Sequence, residues 1–178
     1  MKFKVFFRKS IIVIFLLTMC NIAFSKNKET PYLRDGVSFS IAEDWKVIAN
    51  DSIGDNAYYF SAERNGLKAT GLITVTWVNK AEKPGKMMAI HQQSMKSANM
   101  YRNPGIEFSE VISDSFAGLK VESCRYTTFV KGQKLDGIIY CFNSFKKTIT
   151  VFFQSGMDDQ KLNQKAFELV RLTFNCHE

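Results

Sequence analysis

Residues 119–153 read LKVESCRYTTFVKGQKLDGIIYCFNSFKKTITVFF and decide the fold. β-Branched and aromatic residues, which favour strands, dominate this stretch. Short breaks divide it, so we predict three long strands at residues 119–130, 135–145 and 147–153. Because connections this short usually join antiparallel neighbours, the stretch predicts the centre of an antiparallel sheet.

The segments before this stretch also read as strands. Residues 37–42 alternate apolar and polar side chains, which is the period of a half-buried strand. Asn65-Gly66 lies between two strand-like segments and predicts a hairpin there. One further strand is predicted to begin at Trp45, and others are predicted at residues 58–62, 72–78 and 106–113.

The first predicted helix begins at Pro84, where helix formers replace β-branched residues, and runs to Arg102. An apolar stripe that includes Met87, Met88 and Met95 falls on one face of this helix. Such a stripe is typical of core packing rather than of a cofactor site.

A last helix runs from a cap at Asp158 or Asp159 to about Thr173. Its expected packing face is formed by Leu162, Ala166, Leu169 and Val170. The order of elements is therefore strands, helix, strands, helix. This order predicts an α+β domain in which helices flank an antiparallel β-sheet.

Residues 36–41, Gly-Val-Ser-Phe-Ser-Ile, and the nearby Trp45-Lys46-Val47 resemble the opening hairpin of the PsbP-like (Mog/PsbP/DcrB) superfamily. The later order of elements is similar as well, so the resemblance covers most of residues 26–178. It implies a PsbP-like α/β/α sandwich, a fold found in non-catalytic proteins that bind or assist others. Members bind unrelated partners, so the resemblance assigns no partner and no functional residue.

The N-terminal 25 residues predict a secretory signal peptide. Four basic residues precede an apolar run at residues 11–20, and Ala23-Phe24-Ser25 then supplies a cleavage pattern before Lys26. The run is shorter than the roughly 20 residues of a membrane-spanning helix. We therefore expect an exported protein, periplasmic or extracellular, with residues 26–178 as a single domain. Lipidation of Cys20 is the alternative.

The net charge of the chain bears on whether it can bind nucleic acid. Of 24 basic and 17 acidic residues, four basic ones belong to the signal peptide, which leaves a net charge of +3 on residues 26–178. No concentrated basic stripe remains, so nucleic acid is not an expected partner. No later apolar run reaches spanning length, so we expect no transmembrane segment after the signal peptide.

Catalytic and metal-binding motifs of the common classes are missing from the sequence. His91 has no acid or cysteine at i+3 or i+4, and His177 lies next to the C-terminus. Acidic residues around the first hairpin, between Glu43 and Asp55, do not follow the spacing of a calcium loop. We therefore expect no catalytic residue, no metal and no cofactor.

The expected function is that of a non-catalytic envelope protein that binds or assists another macromolecule, and an immunity or inhibitor protein is one specific version. The partner is expected to be another envelope protein, with Tyr58, Tyr59 and Phe60 as the candidate contact surface. Two alternatives remain: a small secreted hydrolase or transferase, and a carrier of a small apolar ligand, which would need an enclosed apolar cavity.

Removal of Cys20 with the signal peptide leaves Cys124, Cys141 and Cys176 in a compartment that permits disulfides. A two-residue turn centred on Gly132-Gln133 would place Cys124 directly opposite Cys141 in a non-hydrogen-bonded pair. The sequence therefore predicts a disulfide between these two residues.

Other cysteine arrangements are also compatible with the sequence. Both residues could be reduced packing residues, or Cys176 could bond to either one. A turn centred on Asp136-Gly137 would place Cys124 opposite Ile149 and would remove the geometric case for the bond.

Overall fold

The computed structural model describes residues 29–101 and 105–178. The predicted signal peptide, including Cys20, lies outside these residues. The helices are α1 (Pro84–Ser97) and α2 (Gln160–Thr173), and 3₁₀ turns lie at Asn99–Tyr101 and Met157–Asp159. The strands are β1 (Glu29–Arg34), β2 (Val37–Ala42), β3 (Trp45–Ile53), β4 (Ala57–Arg64), β5 (Leu72–Val78), β6 (Ile106–Phe108), β7 (Ile112–Phe116), β8 (Leu119–Val130), β9 (Gln133–Ser144), β10 (Lys147–Gly156) and β11 (Asn175–Cys176).

The strands form two antiparallel sheets. The large sheet has the order β3-β4-β5-β10-β9-β8-β6, and β7 pairs with the other half of β8. The small sheet has the order β1-β2-β11. The three strands predicted in residues 119–153 lie side by side in the large sheet, as the short connections require.

Side-chain alternation gives the large sheet two packing faces. One face packs against α2 and the small sheet, and its core includes Phe60, Trp77, Phe116 and Phe142, all nearly or fully buried. The other face packs against α1 around a smaller cluster that contains Met88. The predicted α+β class, an antiparallel sheet between helices, is confirmed.

The turn between β8 and β9 lies one residue earlier than predicted. Val130 pairs with Gln133, so the two central residues are Lys131 and Gly132, with φ angles of 51° and 80°. Two positive φ angles define a type I′ turn, in which glycine takes the second central position. The prediction had assumed a type II′ turn with glycine first.

This shift moves the pairing by two residues. Cys124 lies opposite Ile139, and Cys141 lies opposite Glu122. The two cysteines are therefore diagonal neighbours, for which Cα separations are about 7–8 Å, longer than most disulfides allow. The predicted register was wrong, and Cys124, Cys141 and Cys176 are buried free thiols in the structure.

Candidate functional site

The loop at residues 65–71 connects β4 to β5 and is longer than the hairpin that Asn65-Gly66 suggests. Backbone bonds close its base: Arg64 N–H donates to the Gly71 carbonyl at 3.1 Å, and Asn65 N–H donates to the Asp44 carbonyl at 2.8 Å. A further bond from Ala69 N–H to the Gly66 carbonyl tightens the loop. Backbone bonds within the loop and one bond to Asp44 thus hold it in place.

A polar network joins the base of this loop to the start of α2. The Arg64 guanidinium forms an ion pair with Asp159, and its Nε donates to Asn163 Oδ1 at 2.8 Å. Asn163 is fully buried, and its Nδ2 donates to Asp159 Oδ1 at 3.0 Å and to Ser155 Oγ at 2.8 Å. Every polar atom of the buried Asn163 amide group therefore has a partner.

Thr70 connects the loop itself to the same carboxylate. Its N–H donates to Asp159 Oδ2 at 3.0 Å, and its hydroxyl donates to Asp159 Oδ1. The Thr70 oxygen in turn accepts the Gly156 N–H at 2.7 Å. The carboxylate thus receives donors from Arg64, Asn163 and two atoms of Thr70, so its acceptor capacity is filled.

The electrostatics of this network favour the ionised carboxylate. Burial by itself would raise the pKa of Asp159, but the hydrogen bonds from Thr70 and Arg64 and the charge of Arg64 outweigh it and lower the pKa. A carboxylate with a lowered pKa and four donors is a weak general base. The arrangement positions the loop rather than activating a nucleophile.

An open cavity of about 590 Å³ lies beside the network. Its lining includes Arg64 and Asp159 from the network and Leu67, Lys68 and Asp158 from the rim. Leu67, Lys68 and Asp158 are exposed, and the Leu67 side chain is fully exposed. We refer to these five residues as the loop-end surface.

Two more exposed apolar side chains adjoin the loop-end surface in the sequence. Met157 precedes Asp158, and Leu162 precedes the buried Asn163; their exposed fractions are 65% and 57%. Leu162 had been expected on the packing face of the last helix. The structure buries Asn163 in its place, because the network satisfies the amide.

Sequence reasoning did not identify this site. Asp159 was expected to cap the last helix, and it does occupy the N-cap position of α2, but its side chain makes no capping bond. The residues of the network are far apart in the sequence, and no motif connects them. The one local signal was an asparagine, Asn163, between the apolar positions of an amphipathic helix.

The predicted contact residues do not form one surface. Phe60 is fully buried in the core. Tyr58 lies on the same face of β4, where its ring stacks on Trp77 at 5.2 Å and lies beneath the Arg34 guanidinium. Tyr59 points to the opposite face, because side chains alternate along a strand. The structure therefore separates the three aromatic residues.

A second open cavity, of about 500 Å³, lies between β7, β8 and the N-terminus of α1. Here Glu122 Oε2 would lie 3.0 Å from a Cβ added to Gly85 in the first turn of α1. The N-cap residue Lys83 makes no side-chain capping bond. A carboxylate is favourable at a helix N-terminus, so this position of Glu122 is electrostatically favourable. Both cavities are open, whereas a carrier of a small apolar ligand would need an enclosed apolar cavity.

The described residues contain no group of three or more His, Cys, Asp or Glu side chains that could hold a metal ion. His91 packs edge-to-face against Phe152, with ring centres 5.0 Å apart. Burial also raises the pKa of Cys141 to about 12, which keeps this thiol protonated and unreactive at neutral pH.

Within residues 29–101 and 105–178, neither helix has the length and apolar character needed to cross a membrane.

Comparison with known proteins finds similarity in fold but no match in sequence. No protein-family model matches the sequence, and no curated protein matches it. The structure is similar to LpqN of Mycobacterium tuberculosis, a protein involved in cell envelope biogenesis, with a TM-score of 0.54 and 11% identity over 85% of this chain and 91% of LpqN.

The structure is also similar to PsbP (CyanoP) of the cyanobacterium Synechocystis sp. PCC 6803. The TM-score is 0.58 and the identity is 11%, over 87% of this chain and 96% of CyanoP. The predicted resemblance to the PsbP-like fold is therefore confirmed. At this level of identity, the likeness concerns the fold alone.

Proposed function

We propose that this protein is exported to the cell envelope and binds another envelope protein without catalysis, through the loop-end surface of Arg64, Leu67, Lys68, Asp158 and Asp159. The export pattern at the N-terminus supports the location. The observation that carries the proposal is a fully exposed leucine on a loop that the Arg64–Asp159 network fixes in place.

Pre-ordering favours binding, because a loop that is already fixed loses little conformational entropy when a partner docks. Apolar side chains surrounded by polar groups are a common arrangement at the centre of protein interfaces. Leu67 supplies the apolar contact here. Lys68 and Asp158 form no ion pair within the described part of the chain and can pair with charges on a partner.

The chemistry of the site favours binding over the hydrolase or transferase alternative. The two converging charged groups, Arg64 and Asp159, neutralise each other, and the Thr70 hydroxyl donates a hydrogen bond to a carboxylate that is a weak base. An immunity or inhibitor protein would use the same surface to cover a toxin. A toxin gene beside this one would favour that version.

Two matched substitutions test the proposal. Leu67→Asp places a charge in the loop-end surface. Leu172→Asp places one at another exposed site, 74% accessible, about 20 Å along the axis of α2 from Asp159. Leu67→Asp should keep the thermal midpoint of the parent within about 2 °C, because this leucine is exposed on a loop. Leu172→Asp adds a negative charge to the last turn of α2, which is unfavourable by about 0.3–1 kcal/mol, so its midpoint should fall by no more than about 4 °C.

Binding is then measured by quantitative co-purification from envelope extract. We expect Leu67→Asp to lose the partner that the parent and Leu172→Asp retain. Equal recovery from all three proteins, or no specific partner for any of them, would contradict the proposal. Intact mass tests the export premise: we expect a chain that begins at Lys26, whereas a diacylglyceryl group on Cys20 would show a lipoprotein.

A further inference from the structure

β7 is an edge strand of the large sheet. It pairs with β8 on one side and with no other described strand on the other. The turn between β7 and β8 consists of Ala117 and Gly118, both with positive φ angles, so the flanking pair, Phe116 and Leu119, exchanges backbone hydrogen bonds. Because backbone groups alternate in direction along a strand, the N–H and carbonyl of Ser113 face away from β8, towards the free edge.

A side-chain contact supports this direction. The Ser115 N–H donates to Asp114 Oδ1 at 2.7 Å, so it takes no part in the pairing with β8. The Ser115 carbonyl and both backbone groups of Ser113 lie on the same free edge, and Val111 continues this edge just before β7. The edge thus offers backbone donors and acceptors to an added strand.

The other long edge strands are protected against such addition. The pairing of β3 shifts register between Val47 and Ala49, and the Arg34 guanidinium donates to the Asn50 carbonyl at 3.0 Å. β1 contains Pro31, which lacks an N–H group. Bulges and prolines are common ways to prevent pairing at a sheet edge. β7 has no proline and no register shift along its length, so strand addition is best accommodated there.

The open cavity of about 500 Å³ beside β8 adjoins this edge. Pro84, Val111 and Ile112 give it a partly apolar lining, to which Lys120 and Glu122 add charges. Val111 and Ile112 are 45% and 57% exposed. Because side chains alternate along a strand, an added strand would place every second side chain on the side of the sheet where this cavity opens.

Lys120 favours a particular charge on the added strand. It is exposed, lies opposite Ser115 and forms no ion pair within residues 29–101 and 105–178. The added strand would lie about 10 Å from β8, twice the spacing of neighbouring strands. A lysine and a glutamate side chain can together span this distance over the small Ser115 side chain. An acidic residue opposite Ser115 would therefore pair with Lys120.

A second copy of β7 does not supply this charge. In an antiparallel pair centred on Ser113 of both copies, Val111 of one copy would lie opposite Ser115 of the other. Asp114 of the second copy would point to the opposite face of the sheet, because side chains alternate. Lys120 would stay unpaired, which favours a different polypeptide as the occupant.

We propose that β7 accepts an extended segment of another protein as an additional antiparallel strand, with an acidic residue opposite Ser115 and an apolar residue opposite Val111. In the order of the bound chain, the acidic residue comes first and the apolar residue follows four positions later. The acidic residue pairs with Lys120, and the apolar side chain enters the cavity beside Pro84. This site shares no residue with the loop-end surface and does not depend on the binding proposed there.

A display library of random linear peptides, selected on the purified exported protein, identifies the preferred segment. We expect the selected peptides to share an acidic residue and an apolar residue four positions later. A fluorescein-labelled synthetic peptide of the selected sequence then gives the affinity by fluorescence anisotropy. Amide hydrogen exchange followed by NMR reports the mode of binding, because the Ser113 N–H should become protected when the peptide is bound.

Three variants locate the site. Ser113→Pro removes an N–H group that faces solvent at a sheet edge, where proline is tolerated, and should weaken peptide binding at least about tenfold. Leu33→Pro is the matched control: it removes an outward N–H group from β1, next to the closing pair Arg34–Val37, and should bind like the parent. Lys120→Glu should weaken binding of the acidic peptide at least about threefold and should favour a peptide with lysine in place of the acid.

Selected peptides without a shared acidic position, or equal affinity of the peptide for Ser113→Pro and the parent, would overturn the proposal. Protection of the Ser113 amide that rises with protein concentration and needs no peptide would also overturn it, because a second copy would then occupy the edge. Thermal unfolding shows whether each variant is folded. If Ser113→Pro does not fold, exchange at Ser113 in the parent and the charge preference of Lys120→Glu decide the question.

Discussion

Replacing Asp159 with alanine removes the carboxylate that holds the 65–71 loop against α2. The Arg64 guanidinium then loses its counter-charge, and Thr70 N–H and Asn163 Nδ2 each lose a hydrogen-bond acceptor. The side chains of Arg64 and Asp159 are 16% and 10% exposed, so the Arg64 charge left behind is largely buried.

The expected loss follows from this geometry. Breaking a buried ion pair by removal of one partner costs about 3–5 kcal/mol, and the residual exposure of both groups places this case at the lower end, about 3 kcal/mol. For a domain of this size, this corresponds to a decrease in the thermal midpoint of roughly 6–12 °C. Asp158→Ala, one residue away and exposed, should change stability by less than about 0.5 kcal/mol.

Urea denaturation followed by tryptophan fluorescence measures both variants, with the free energy of unfolding taken by linear extrapolation. Because the folded protein lowers the pKa of Asp159 below 3.8, its contribution is complete well above that pH and is lost as the pH falls through the folded-state pKa. The difference between parent and Asp159→Ala should therefore shrink in acid.

An Asp159→Ala variant that loses less than about 1 kcal/mol, or one as stable as Asp158→Ala, would contradict this role of the Asp159 carboxylate. A paired variant, Arg64→Met with Asp159→Leu, supplies the cross-check. It should be more stable than Asp159→Ala, because no unpaired charge is left buried.

Three further outcomes follow from buried groups. Burial lowers the pKa of His91 from 6.5 to about 4, so between these pH values the unfolded chain binds a proton that the folded protein does not. The free energy of unfolding should therefore fall by up to about 1.4 kcal/mol per pH unit on acidification. Denaturation curves of His91→Phe should lack this pH dependence, and the same dependence in this variant would contradict the assignment to His91. Gly137→Ala adds a Cβ that would collide with the Tyr126 ring and should cost about 1–3 kcal/mol; calorimetry showing parental stability would contradict that contact. Cys124 and Cys141 should both be alkylated after unfolding without reductant, since the register makes them diagonal; a cross-linked peptide in non-reducing mapping would disprove it.

The fold could largely be predicted from the sequence, because long β-branched strands and short connections constrain an antiparallel sheet strongly. The predicted β8 at residues 119–130 agrees with the structure, and the predicted last helix ends at Thr173 as observed. β1 was missed, because Glu29–Arg34 contains a proline and little alternation. A local signal was nevertheless present, because Asp35-Gly36 joins β1 to β2 as a two-residue hairpin turn with both φ angles positive.

Neither the β8–β9 register nor the Arg64–Asp159 network could be predicted from the sequence. If glycine takes the second central position of the turn instead of the first, the residues that face each other across β8 and β9 change by two positions. The sequence around Gly132 allows both arrangements. The network of Arg64, Asp159 and Asn163 spans about 100 positions of the chain, and only the packing of α2 against the base of the loop brings these residues together.

Site-specific photo-cross-linking in intact cells tests directly whether the loop-end surface binds a partner. A photoreactive amino acid replaces Leu67 in one variant and Leu172 in the other, and the adducts are identified by mass spectrometry. We expect one adduct from position 67 that excess unlabelled protein suppresses, and none of that mass from position 172. The same adducts from both positions, or no adduct from position 67, would contradict it.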